Sequence, residues 1–169
     1  DRNIVPDPLF GPEPNGTELP QLNQDKFGKW KATNVFRQKQ DGFFGVYVKL
    51  PLGNMSSGLT RTFADIVDKY ASNELRVTIN QGYLLRFVRE SALPHLFTAL
   101  DKIALAEPGF DSVGDVTACP GTETCNLGIS SSYGVALAME KVIKEEYPDL
   151  IYNNDIKIKI SGCPNSCGQ

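Results

Sequence analysis

Four cysteines are the residues of this chain best suited to chemistry. They stand at positions 119, 125, 163 and 167, spaced Cys-x5-Cys, then 37 residues, then Cys-x3-Cys. Thiolates at such spacings hold iron–sulfur clusters or zinc. Zinc knuckles prefer Cys-x2–4-Cys, and x5 is wide for them. An even count permits disulfides, but a 169-residue chain that is 41% apolar can build a core without staples, and nothing signals export. A nucleophilic thiol needs a base nearby, and the one histidine, His95, lies far off in an apparent amphipathic helix as a packing or surface residue. Unrelated buried thiols are the plain alternative. An iron–sulfur cluster fits the set best.

Two loops must present these thiols. Cys119 to Gly128 reads as a loop after a short strand over Asp115 to Ala118. A helix over Ser132 to Glu146 follows, capped by Ser130 or Ser131, with Val135, Met139, Val142 and Ile143 on one face and Pro148 as its stop. Asp155 to Ile160 alternates Ile156, Ile158 and Ile160 against Lys157 and Lys159, which predicts a strand with a solvated lysine face. Ser161 to Gln169 is the second loop. Such loops leave backbone N–H groups free to point at sulfur, which tunes a cluster's potential. Pro120 and Pro164 stiffen the turn after the first cysteine of each pair.

Upstream, Phe43 to Leu50 (FFGVYVKL) reads as a strand. Ser57 is placed to cap a helix from about Leu59 to Tyr70, whose Phe63, Ile66, Val67 and Tyr70 form one stripe. Glu74 to Ile79 predicts a half-buried strand with Leu75, Val77 and Ile79 inward. An Asn80-Gln81-Gly82 turn leads to a strand over Tyr83 to Val88. Ser91 opens a helix to about Ala106, ended by Pro108 and Gly109. The order β-α-β-β-α lacks only a final short strand to complete a ferredoxin-like split β-α-β unit. The fold class expected is therefore α+β, with that unit followed by a partial α/β cluster-binding unit. Residues 1–24, with five prolines, read as an extended arm, residues 25–110 as the ferredoxin-like half-domain and residues 111–169 as the cysteine-bearing domain.

The bulk numbers exclude other classes. Charged residues make up 22% and the net charge is −3, with no basic block, so nucleic acid is not an expected partner. No apolar run approaches the roughly 18–20 residues of a membrane span. Without a signal peptide the expected location is the cytoplasm. Asp1 at the start, and Gln169 two residues beyond the last cysteine, suggest a piece of a longer protein.

The segments TACPGTETCNLGI (117–129) and IKISGCPNSCGQ (158–169) resemble the paired cluster motif of the nitrite/sulfite reductase haemoprotein family. VYVKLPLG (46–53) and LRVTINQGYLLRFV (75–88) are similar to that family's ferredoxin-like half-domain. The resemblance covers about Phe43 to Gln169 and implies the second of two related halves. It implies that Cys119, Cys125, Cys163 and Cys167 ligate a [4Fe–4S] cluster and that Cys167 bridges to a sirohaem iron. It implies six-electron reduction of nitrite to ammonia or sulfite to sulfide. Ferredoxin or a flavoprotein would be the electron donor, and the first half of the same polypeptide a partner. Arg76, Thr78, Asn80, Gln81, Thr122 and Asn165 become candidate contacts to the sirohaem rim, with ordinary turn or strand hydrogen bonds as the alternative for each. Gly82 stands where the family often has Asn. No catalytic proton donor is assigned, because the family's anion-gripping residues lie mostly in the other half. The fragment alone is expected to be inactive and to bind the cofactor pair poorly. A haem-free electron-transfer module or a zinc-stabilised domain is the alternative function.

Overall fold

The computed structural model describes residues 11, 20–71 and 74–168. Most of the expected N-terminal arm therefore lies outside the described residues, and 72–73 fall inside the expected Ala71–Glu74 connection. Helix α1 (Gln24–Asn34) comes first, and its pattern did not predict it. Asn23 caps it by accepting the Lys26 N–H at 3.1 Å. Phe27 and Trp30, one turn apart, carry it into the core.

Strand β1 (Val35–Arg37) pairs antiparallel with β2 (Phe43–Val48). Helix α2 (Ser57–Tyr70) follows, then β3 (Leu75–Val77), β4 (Tyr83–Arg89) and α3 (Leu93–Asp101). The sheet order is β1-β2-β4-β3, and every neighbouring pair is antiparallel. The ferredoxin-like arrangement is present, but the strand that completes it precedes β2 where the sequence pattern expects it after α3. β2 and β4 slip register around Gly45, so two β4 residues oppose one. Phe87, at φ +56°, takes this bulge and is buried. Its carbonyl accepts the Gly11 N–H at 3.0 Å, which ties one point of the N-terminal segment to the sheet.

Several boundaries differ from expectation for local reasons. β2 stops at Val48, because a 3-10 turn at Pro51–Gly53 takes the chain out of the ladder. α2 starts at Ser57, and Ser56 is its cap, accepting the Leu59 N–H at 3.3 Å. α3 ends at Asp101, not near Ala106. Leu105 N–H reaches back to Leu100 O at 2.9 Å and Ala104 N–H to Asp101 O at 3.1 Å. This is a Schellman closure with Ala104 at φ +57°, where glycine is usual, so no residue advertised the stop. The strand expected over 74–79 keeps only three residues. Its apolar side faces outward, with Val77 76% and Ile79 83% exposed.

One core joins Trp30, Phe63, Ile66, Val67, Leu96 and Phe97 of the helices to Val46, Val48, Leu85 and Val88 of the sheet. Phe27, Trp30 and Phe97 meet with ring centroids 5.2–5.9 Å apart. Each such buried side chain contributes roughly 1.5–3 kcal/mol.

Alternation sends Tyr47 and Lys49 to the opposite face of the sheet. The cysteine-bearing segment lies there. Phe110 stacks on Tyr47 with centroids 4.1 Å apart, and the buried Asn34 amide donates to the Tyr47 and Glu107 carbonyls, both at 3.1 Å. Beyond it, β5 (Thr117–Ala118) pairs in parallel with β6 (Lys159–Ile160), and α4 (Ser132–Glu146) is the crossover. Ser131 is the cap, accepting the Gly134 N–H at 3.2 Å. The strand expected over 155–160 is therefore two residues long, because β5 offers only a two-residue partner. The α4 face that carries Val135, Met139, Val142 and Ile143 is open, with Val135 49% exposed. Val116, Ala118 and Ala136 are the buried residues of this second, small core. Among the described residues, no helix is long and apolar enough to cross a membrane.

Candidate functional site

The cysteines follow β5 and β6, and the parallel ladder sets their loops side by side. Thr117 N–H bonds to Ile158 O and Cys119 N–H to Ile160 O, each at 3.1 Å. The Gly162 carbonyl then accepts from both Ile129 at 2.9 Å and Ser130 at 3.1 Å. One loop is thus stitched to the other at Gly162.

The approach is so close that side chains are excluded. A Cβ on Gly162 would stand 2.7 Å from Gly121 Cα and 2.8 Å from Ser130 O. Within the first loop, a Cβ on Gly121 would meet Ser130 O at 2.5 Å. The two glycines let backbone lie on backbone.

Cys119 is buried at this seam. Its sulfur is 3.4 Å from Ser132 Oγ and accepts the Gly162 N–H at 3.1 Å. The Ser132 hydroxyl and that N–H hold the thiol below its usual range. The hydroxyl has one proton, and the Cys119 carbonyl at 2.6 Å competes for it. The Gly162 N–H is therefore the firmer of the two donors to sulfur. Cys163 is half-buried, and Cys125 and Cys167 are exposed. Among the described residues, no three His, Cys, Asp or Glu side chains are gathered as a metal-holding group. The donor set still suits a thiolate-bound cluster: four cysteines on two abutting loops, one of them already receiving an N–H···S bond. α4 begins seven positions after Cys125, so its N-terminus adjoins Cys119 through Ser132 more directly than it adjoins Cys125.

The other predicted site residues divide by location. Gln81 Nε2 donates to Ala118 O at 2.7 Å, and its Oε1 accepts from Ala118 N at 3.3 Å. Asn80 Nδ2 donates to Asp111 Oδ1 at 2.8 Å. Thr78 Oγ1 accepts the Gly82 N–H at 3.1 Å within its own turn. Gly82 is pressed on β2, where a Cβ would lie 2.5 Å from the Val48 carbonyl, so the departure from Asn has a steric cause. Thr78 and Gln81 border a cleft of about 320 Å3 with Leu52, Asn54, Tyr83 and Tyr133. Arg76 is exposed and pairs with Glu74 at 3.3 Å. Thr122 and Asn165 are exposed on their loops. His95 lies on α3 in the half-domain, beside a groove that no cysteine lines.

Lys49 escaped the sequence reading. It is 8% exposed, donates to the Gly114 carbonyl, and lies 3.8 Å from Asp115 Oδ1 and 3.6 Å from Glu140 Oε1. Glu140 in turn accepts the Val116 N–H at 3.3 Å. Burial pushes the Asp115 carboxyl up, with Lys49 opposing. Its signal was a single lysine in an apolar strand run, on the face that alternation turns away from the helices. Lys157, expected on a solvated face, pairs with Asp111 at 2.8 Å.

Comparison with known proteins agrees with this arrangement. Residues 36–103 match the nitrite/sulfite reductase ferredoxin-like half domain. The chloroplastic ferredoxin–nitrite reductase of Spinacia oleracea is 30% identical over 151 residues, which are 88% of this chain and 25% of that protein. The assimilatory ferredoxin-dependent nitrite reductase of Haloferax mediterranei is 31% identical over 145 residues, 84% of this chain and 24% of that protein. The solved Mycobacterium tuberculosis NirA protein superposes with a TM-score of 0.68 at 25% identity, over 94% of this chain and 27% of that one. The chain thus spans about a quarter of the length of these relatives. With the half-domain match, the shared fold and these relatives in agreement, the chain belongs to the nitrite/sulfite reductase family.

Proposed function

We propose that this chain is the cluster-bearing part of a ferredoxin-dependent reductase that takes nitrite to ammonia in six electrons. The observation that carries the reading is the seam itself: two cysteine loops held together with the Gly162 N–H on the Cys119 sulfur. The relatives named as ferredoxin–nitrite reductases support nitrite and ferredoxin over sulfite and a flavoprotein.

Cys119, Cys125, Cys163 and Cys167 would hold a [4Fe–4S] cluster, and Cys167 would also meet a sirohaem iron. That pair, when bound, supplies the electron path and the metal at which the anion is reduced. The protein's own part is placement and electrostatics. Ser132 and Gly162 fix the Cys119 sulfur. The abutting loops leave no room for a side chain at Gly162. Arg76, Thr78, Thr122 and Asn165 would be the candidates to receive the carboxylates of a sirohaem rim. The first half of the longer polypeptide would supply the facing wall and the groups that grip the anion.

Anaerobic reconstitution with iron and sulfide tests the ligand set. The expected result is about four irons and four labile sulfides per chain. Stoichiometric zinc without labile sulfide would sink the proposal in favour of a structural metal. For the activity, a polypeptide of the relatives' length that contains this sequence should reduce nitrite faster than sulfite with reduced ferredoxin. The 169-residue chain alone should show no Soret band after incubation with sirohaem.

A further inference from the structure

The hairpin turn from Thr78 to Gly82 belongs to the half-domain, yet one of its amide side chains meets Ala118 directly and the other meets Asp111, which is itself paired with Lys157 ahead of Cys163. In a strand, the N–H and C=O of one residue point to the same side, and those of the next point to the other. Thr117 and Cys119 turn toward β6. Ala118 between them turns away, and its N–H and C=O both meet the Gln81 amide, at 3.3 and 2.7 Å. Gln81 thus acts as a one-residue strand on the free edge of β5, one position before Cys119.

Asn80 takes the other side. It is buried, and its amide holds Asp111 Oδ1 at 2.8 Å. The second Asp111 oxygen holds Lys157 Nζ at 2.8 Å, two residues ahead of β6, which leads to Cys163. One turn therefore holds β5 directly through Gln81 and the approach to β6 through the Asp111 bridge. Gln81 does so at φ +61°, a conformation that costs a residue with a Cβ about 1–2 kcal/mol. The two hydrogen bonds to Ala118 hold it there.

We infer that Asn80 and Gln81 are positioning residues that set the separation of the two cysteine loops, and that their amides serve this role in place of gripping a cofactor rim. The inference rests on the cluster reading above for its purpose, though the contacts stand without it. It also explains how a half-domain that contributes no thiol fixes the place of those that bind.

Amide hydrogen exchange followed by NMR on the 169-residue chain tests it. Gln81→Asn keeps an amide and suits the left-handed turn, but is one methylene too short to reach Ala118. Exchange at Ala118 should quicken roughly tenfold, as expected for loss of about two hydrogen bonds, while core amides such as Val46 and Leu85 stay as they were. Asn80→Leu should spare Ala118 and quicken Thr117, whose N–H bonds to Ile158. Should Gln81→Asn lose the turn, Gln81→Leu is read at the same amide. Unchanged Ala118 exchange in a folded Gln81 variant overturns the inference. On reconstitution, labile sulfide should fall severalfold in Gln81→Asn. If the unaltered chain takes up no labile sulfide, the cluster reading fails and the exchange comparison alone decides the positioning role.

Discussion

The half-domain and the cysteine segment are built by opposite means. In the first, three helices and a sheet close over one core with Trp30, Leu96 and Leu100 fully buried. In the second, Val116, Ala118 and Ala136 form the buried apolar cluster among the described residues, while Leu127, Ile129, Val135 and Ile156 are exposed. Order in the second region comes from backbone seams and from polar contacts with the first: Lys49 with Asp115 and Glu140, Gln81 with Ala118, Asn80 with Asp111. A region with many apolar contacts stands alone, and a region held by a few directed bonds depends on its support.

The sharpest way to break this comparison is in the core. Phe97→Ala should cost about 3–5 kcal/mol and take both regions down together in urea, since the cysteine segment has little to stand on. If the cysteine segment stayed folded, the dependence would be wrong. Lys49→Met should cost nearly as much, about 3 kcal/mol, because it leaves two carboxylates buried beside the sheet. Its loss should fall on the second region, visible as quickened exchange at Val116 and Thr117 with the core amides protected. A uniform loss would show that the two regions form a single cooperative unit.

Gly162→Ala should cost about 1–3 kcal/mol by wedging the loops apart, with a severalfold drop in iron incorporation as the readout. The smallest effect is in pH dependence, and the two aspartates at the junction should show opposite signs. Burial raises Asp115, so its contribution is full below the ordinary carboxylate range and is lost as pH rises through the raised value. Partial burial pushes Asp111 up, but bonds from Lys157 and Asn80 outweigh this and lower it. Its contribution is present above the ordinary range and is lost as pH falls through the lowered value. Urea midpoints across the acid range should show Asp115→Asn removing a decline toward neutral pH and Asp111→Asn removing a decline toward acid.

Legibility in the sequence followed the same divide. α2 was readable because Phe63, Ile66 and Val67 keep helical spacing over a real core. α1 was not, since Phe27 and Trp30 are its only large apolar residues and Gly28 stands between them. β3 shows a deeper limit. Leu75, Val77 and Ile79 alternate in the sequence, but the pattern does not say whether either face is covered, and all three residues of β3 are exposed. The same held for the α4 stripe. The cysteine spacing identified the loops, and β5 and β6 did place them together. Lys49 could not be read, because its partners lie 66 and 91 positions along the chain and only the fold brings them near. Gln81 was singled out as a contact residue, but its hydrogen-bonding partner within the chain was invisible.

The glycine seam has a consequence for how this protein can change. A carbon added to Gly162 would press on the Gly121 Cα and the Ser130 carbonyl of the other loop, and one added to Gly121 would press on Ser130 and Ser132, so neither can gain it unless that backbone retreats. Retreat would carry Cys119 or Cys163 with it. Drift at either position is therefore coupled to the spacing of the thiols, and a library of random single substitutions should return these two sites almost blank. The neighbouring exposed positions Glu123 and Asn126 should accept many residues. Local freedom to vary would then trace the seam as a sharp boundary, mapped by selection alone.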